Sequence, residues 1–205
     1  DSFKYLVKAL KRYVKSFGLI KTLDDIGEVV RLLNYYSSVD LYTWEIAYKV
    51  AIAENLYTIL PTFSKVDKVP LLPIPDYNLN KDYAKITLFW RRVEEIIRSR
   101  GIRVVIDIHG MSDNGKWPDI CISTRGFSTV SKELISRVIS YLASQRLRVA
   151  IDYPFAGGAF IAYLGNPPTV EAFAIEIKRR LKFFGSDIPK IIRGIAEVVK
   201  NYLEL

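Results

Sequence analysis

Arg103-Val104-Val105-Ile106-Asp107-Ile108-His109-Gly110-Met111 decides the fold. Val104, Val105, Ile106 and Ile108 make a nearly continuous apolar run. That is the pattern of a central strand buried on both faces, and it predicts a strand over 103–109. A helix from about Asp82 to Arg100 precedes it, stopped by Gly101 as C-terminal cap. Beyond it, strands are expected at Asp119–Ser123, Arg148–Ile151, Phe160–Leu164 and Glu171–Ile177. An amphipathic helix over Thr129–Gln145 carries Val130, Leu134, Val138, Ile139 and Leu142, and Pro154–Gly158 reads as a turn. Ser186 is expected to cap a last helix over 187–203.

Upstream, Phe3, Leu6, Val7, Leu10, Val14 and Phe17 space as an amphipathic helix ended by Gly18. Asp24 and Asp25 open a second short helix. Asp40 or Thr43 caps a third, running to about Asn55 with Trp44, Ala47, Ala51 and Ile52 inward. Leu56–Leu60 reads as a short buried strand, and Pro61, Pro70, Pro73 and Pro75 mark a long loop. The alternation predicts a single α/β domain over 1–205, with a mixed, mostly parallel sheet flanked by helices and the N-terminal helices of 1–55 packed on it.

Composition narrows the classes. Half of the 205 residues are hydrophobic and a quarter charged, which is globular rather than disordered. No uninterrupted apolar stretch approaches the length of a membrane span, and the opening Asp1-Ser2-Phe3 has neither a signal-peptide layout nor an initiator Met. Cys121 is the single cysteine and has no partner for an internal disulfide, so a reducing cytoplasm is expected. One Met, one His and one Gln against 30 Lys and Arg resemble a thermophile composition. The net charge of +8 favours anionic partners, but no recognition motif for nucleic acid accompanies it. Lys178-Arg179-Arg180 lacks the interleaved aromatics of a stacking platform and reads as solvated.

Three segments carry the chemistry. His109 ends an apolar strand, before a loop rich in Ser, Asp, Asn and Gly. Ligands of open α/β sheets bind at such strand ends. Asp107 lies two residues earlier, on the same face, where a carboxylate orients an imidazole. Asp152-Tyr153-Pro154-Phe155-Ala156-Gly157-Gly158 follows a strand, and its two adjacent glycines offer backbone that can approach a ligand. Glu176 lies inside the apolar strand Ala174-Ile175-Glu176-Ile177, so it is either paired with a cation or serves as a base of raised pKa. Cys121, in an apolar strand, reads as a small buried hydrophobe.

Taken in order, these segments resemble the N-formylglutamate amidohydrolase family. The matching residues are Asp107-Ile108-His109-Gly110-Met111, Pro118-Asp119-Ile120-Cys121-Ile122-Ser123-Thr124, and Pro154–Gly158 with Tyr163-Leu164-Gly165. Glu171-Ala172-Phe173-Ala174-Ile175-Glu176-Ile177 completes them. A weaker likeness reaches back through Asp40–Ala47 and Asp76-Tyr77-Asn78. The resemblance implies a zinc-carboxypeptidase-like fold and a metal-dependent hydrolase acting on the amide of an N-acyl, N-formyl-like amino acid. It implies zinc held by two histidines and a carboxylate, with an open position for water. It makes His109 one histidine ligand, Asp40 or Glu45 the acidic ligand, and Glu176 the base that takes a proton from water. It places Asn78, Asp119, Gly157 and Gly158 at the substrate, with Lys81 or Arg125 on the substrate carboxylate. The sequence departs from the family in having no second histidine and in carrying Leu79 where an arginine often follows the Asp-x-Asn pattern. Either an upstream segment supplies the missing histidine, or the metal site is reduced and the protein binds without catalysing.

Overall fold

The computed structural model describes residues 42–60, 85, 88–184 and 187–204. The helices expected over 3–17 and near 24–33, the Pro-rich loop 61–80, and Asp40, Asn78 and Lys81 lie outside the described residues. So does Ser186, the expected cap of the last helix.

The described chain runs α1 (Thr43–Glu54), α2 (Leu88–Ser99), β1 (Val104–Met111), β2 (Ile120–Ser123) and α3 (Lys132–Ser144). It continues through β3 (Val149–Ile151), α4 (Ala159–Leu164), β4 (Glu171–Lys178), α5 (Arg179–Phe184) and α6 (Ile188–Leu203). The strands form one mixed sheet in the order β1-β4-β2-β3. β1 and β4 pair parallel, as do β2 and β3, while β2 and β4 pair antiparallel.

The alternation of side chains along each strand gives the sheet two unlike faces. On one, the rows Ile106–Phe173 and Ile108–Ile175–Ile122 are continuous and wholly apolar. Against them pack Ile46 and Val50 of α1, Leu134, Val138 and Leu142 of α3, and Ile188, Ile192 and Ile195 of α6. On the other face β4 presents Ala172 and Ala174, small enough for helices to settle closely. Trp90, Val93 and Ile97 of α2 and Phe160, Ile161 and Leu164 of α4 cover these alanines. Trp90 is 2% exposed and meets the Phe160 ring edge-on at 5.2 Å.

Two buried carboxylates tie the helices together. Glu54, in the last turn of α1, accepts from Arg193 at 2.5 Å and Lys200 at 2.8 Å on α6. Those two bonds hold its pKa below the carboxylate norm against the opposing effect of burial. Glu171, at the start of β4, accepts from the Ser131 N–H at 2.8 Å and from the Tyr202 hydroxyl at 2.5 Å. Ser131 in turn caps α3 by accepting from Leu134 N–H at 3.2 Å.

Several expectations need correction. Phe160–Leu164 is not a strand but helix α4. Its buried positions, Phe160, Ile161 and Leu164, follow helical spacing, and Ala162 is exposed. Leu56–Leu60 forms no strand; Leu56 and Tyr57 are exposed. In α1 the inward set is Ile46, Val50, Ala51 and Glu54, whereas Trp44 and Ile52 are 40% and 64% exposed. Tyr42, not Thr43, sits at its N-cap and makes no side-chain capping bond. Asp187 precedes α6, likewise without a capping bond. Gly101 does end α2, in a left-handed conformation with Ile102 N–H bonded to Ile97 O at 3.1 Å. No described helix is long and apolar enough to cross a membrane.

Gly165, the residue that ends α4, passes close to Thr129. A Cβ there would stand 2.5 Å from Thr129 Cβ and 2.6 Å from Thr129 O. Thr129 cannot retreat freely, because its carbonyl accepts from Ala172 N–H at 2.8 Å. Gly165→Ala is therefore expected to cost about 2 kcal/mol. Thermal unfolding should show this as a fall of roughly 4–8 °C for a chain of this size. A transition temperature equal to wild type would show that the Thr129 backbone yields.

Candidate functional site

The register of β1 on β4 makes His109 the direct neighbour of Glu176. The register of β4 on β2 makes Cys121 the next in the row. One row further in are Asp107, Ala174 and Ser123; one row further out, Lys178 faces Met111. All lie on the face that α2 and α4 cover only as far as the alanines, which leaves the carboxyl ends of β1 and β4 to the polar side chains. Sequence alone brought His109 and Glu176 into one list. The fold puts them side by side.

His109 is held by its own strand. Its Nε2 lies 2.9 Å from Asp107 Oδ2, and both side chains are largely buried, at 13% and 18% exposure. The contact fixes the plane of the imidazole relative to the carboxylate. This carboxylate–imidazole pair is the usual support of a metal-binding or proton-handling histidine. Glu176 is half-buried.

The loop after β3 is fastened over the middle of the row. Phe155 O accepts from the Ser123 hydroxyl at 2.7 Å and from the Cys121 thiol at 3.3 Å. Burial pushes the Cys121 thiol up. Cys121 is fully buried and remains an inert thiol, as expected. The Phe155 ring meets the Trp117 ring edge-on at 5.4 Å, joining this loop to the one after β1. At the loop's end Gly157 has φ +105°, and a Cβ there would lie 2.3 Å from Ile161 Cδ1. Gly158 is the N-cap residue of α4. Backbone geometry thus accounts for the glycine at 157.

Asp152 organises the neighbouring turn. It accepts from Thr124 N–H at 2.6 Å, the Thr124 hydroxyl at 2.8 Å and Gly126 N–H at 2.8 Å. Arg125, Gly126 and Phe127 are consecutively left-handed, and only the glycine adopts that conformation readily. Arg125 Nη1 donates to Gly157 O at 3.2 Å, so this expected carboxylate-binding cation braces the loop.

Asp119 is a hub of charge. Its Oδ1 lies 2.8 Å from Arg180 Nη2, 3.5 Å from Arg148 Nη2 and 3.7 Å from Lys178 Nζ. Lys178 is 1% exposed and donates to Trp117 O at 2.7 Å. It is therefore no part of a solvated basic run. Glu45, an expected acidic ligand, pairs with Lys49 at 3.7 Å on α1. That helix packs on Ile106 and Ile108, the sheet face opposite His109, so the structure does not bring Glu45 to the imidazole. Among the described residues no three His, Cys, Asp or Glu side chains gather closely enough to hold a metal ion. Among the described residues, one oriented imidazole with a carboxylate beside it does not by itself fit zinc.

Sequence reading gave no individual role to Ser123, Asp152, Arg148, Lys178 or Arg180. Strand alternation carried one usable signal: Lys178 is two residues beyond Glu176 and so shares its face.

Burial pushes the Asp119 carboxyl up, but the Arg148 N–H and the Arg180 and Arg148 guanidiniums outweigh it and hold the pKa below the usual 3.8. The stability this group contributes is complete above its unfolded pKa and is lost as pH falls through the lower, folded one. Unfolding followed down to about pH 2 should show an acid limb that Asp119→Asn flattens. An unchanged limb would remove Asp119 from that role.

The sequence profile of N-formylglutamate amidohydrolase matches residues 89–182. The crystal structure of N-formylglutamate amidohydrolase from Ralstonia eutropha JMP134 is similar in fold, with a TM-score of 0.50 and 20% identity over 58% of this chain and 53% of that one. Gene product Atu2144 from Agrobacterium tumefaciens is 22% identical over 57% of this chain and 48% of that one, with a TM-score of 0.45. The chain spans about half the length of these solved structures. No curated protein matches it. The span that holds His109, the Phe155 loop and Glu176 is N-formylglutamate amidohydrolase-like, and the resemblance carried by the sequence motifs is borne out over it.

Proposed function

We propose that the protein hydrolyses the amide bond of an N-acyl amino acid, of the N-formyl kind. The observation that carries this reading is the juxtaposition of His109, oriented by Asp107, with Glu176 on adjacent strands inside the matched span. Glu176 accepts a proton from the attacking water and returns it to the departing amine nitrogen. His109, oriented by Asp107 through Nε2, holds the reacting group beside Glu176. The small-molecule substrate and the cytoplasmic setting belong to this proposal as well.

One observation favours a second reading, a binding protein of the same fold without catalysis. Among the described residues the imidazole has no complement of further metal ligands.

A single set of measurements separates the two. Amine release from N-formyl-L-glutamate and other N-formyl amino acids is followed for wild type, Glu176→Gln and His109→Ala, with zinc content by elemental analysis. Glu176→Gln should lose about 10²- to 10⁴-fold in kcat with its thermal transition intact. Zinc present in wild type and lost in His109→Ala would make the imidazole a ligand. A wild type that releases no amine and holds no zinc leaves the binding reading. Full activity in Glu176→Gln would overturn the assignment of the base.

A further inference from the structure

The positive charge around Asp119 exceeds what Asp119 can neutralise. Lys178, Arg148 and Arg180 all approach one oxygen of one carboxylate. The neighbouring acid, Asp113, accepts from the backbone N–H of Arg180 at 2.8 Å. Counting both acids, three cations face two anions. The crowding is felt at Lys178: burial first, then the charges of Arg148 and Arg180, push its ammonium pKa down.

The two guanidiniums differ from the lysine in access. Lys178 is enclosed, whereas the side chains of Arg148 and Arg180 are 57% and 53% exposed. Each arginine meets Asp119 through a single terminal nitrogen, Nη2. The only further guanidinium bond described for either is a long one of 3.5 Å from Arg148 Nη1 to Gly115 O. A guanidinium carries five N–H donors in a planar fork, so most of the donors at this cluster remain for a ligand.

The cluster is also well placed. Lys178 follows Glu176 by two residues on the same face of β4, about 7 Å along the strand. That is the span of a short acidic side chain.

We infer that Arg148 and Arg180, braced by Asp119 and backed by Lys178, form an anion site that takes a carboxylate of a small substrate. The anion class follows from the cluster itself; its identity as a substrate carboxylate rests on the hydrolase reading. Asp119 is then a positioning residue that sets the two forks, and Arg125, bonded to Gly157 O, is relieved of that role.

Calorimetric titration of the intact chain with glutarate, its neutral diamide and inorganic phosphate tests this. The variants are Arg148→Met and Arg180→Met, which keep the apolar stem and remove the fork, and thermal unfolding checks that each is folded. Wild type should bind glutarate and not the diamide, and each variant should weaken glutarate binding tenfold or more. The diamide comparison needs no variant and stands even if one of them does not fold. Equal binding of diamide and diacid, no binding of glutarate, or wild-type affinity in both variants would overturn the site. Tighter, arginine-dependent binding of phosphate than of glutarate would overturn the carboxylate assignment. Arginine-dependent glutarate binding without hydrolysis of any N-formyl amino acid keeps the site and sinks the hydrolase reading. Hydrolysis of N-formyl-L-glutamate with KM unchanged in both variants does the reverse.

Discussion

The register between β1 and β4 is the constraint on which the molecule depends. With Ile108 opposite Ile175, His109 stands opposite Glu176. A slip of one residue would turn the polar set of one strand into the apolar core and expose its isoleucines. The core therefore enforces the site. Burial of Ile106, Ile108, Phe173, Ile175 and Ile177 under three helices fixes the register, and the register fixes the imidazole beside the carboxylate.

The two faces divide the work. The apolar face is sealed by α1, α3 and α6 and contributes stability. The opposite face is graded along β4. Ala172 and Ala174 accept helix packing at its start, and Glu176 and Lys178 meet polar loops at its end. Those loops are held by unlike means. The Phe155 carbonyl is gripped by Ser123 and Cys121, the Thr124–Gly126 turn is wrapped on Asp152, and the 113–119 loop is anchored by the Lys178 ammonium and the Arg180 backbone N–H. The loop polar groups find partners within the sheet's own side chains, so the rim of the site is defined without a bound ligand.

What was legible in the sequence was periodic or locally punctuated. β1 and β4 showed as apolar runs broken by single polar residues, α3 as a helical stripe, and Gly101 as a stop. Phe160–Leu164 was ambiguous because five successive apolar residues satisfy either period. The exposure of Ala162 and Tyr163 between buried neighbours settles it only once the burial is known. His109 and Glu176 were legible as isolated polar residues in apolar strands. The Asp119 cluster was not, because Arg148 and Arg180 reach it from 29 and 61 positions away and only the closed sheet brings them together. The side of the sheet on which Glu45 lies was hidden for the same reason: sequence proximity to a motif says nothing about which face of a sheet its helix covers.

The long separation along the chain has a consequence for when the site exists. His109 and Glu176 are joined by a parallel pairing that spans β2, α3, β3 and α4, and among the described strands β4 is synthesised after the other three. Parallel pairings of such distant segments form slowly, after local helices. A nascent chain that has emerged only through α4 has the imidazole and its orienting aspartate but lacks the neighbouring carboxylate. It also lacks the strand against which β1 and β2 both pair. The polar row is thus a late product of folding, completed when β4 inserts between two strands already made.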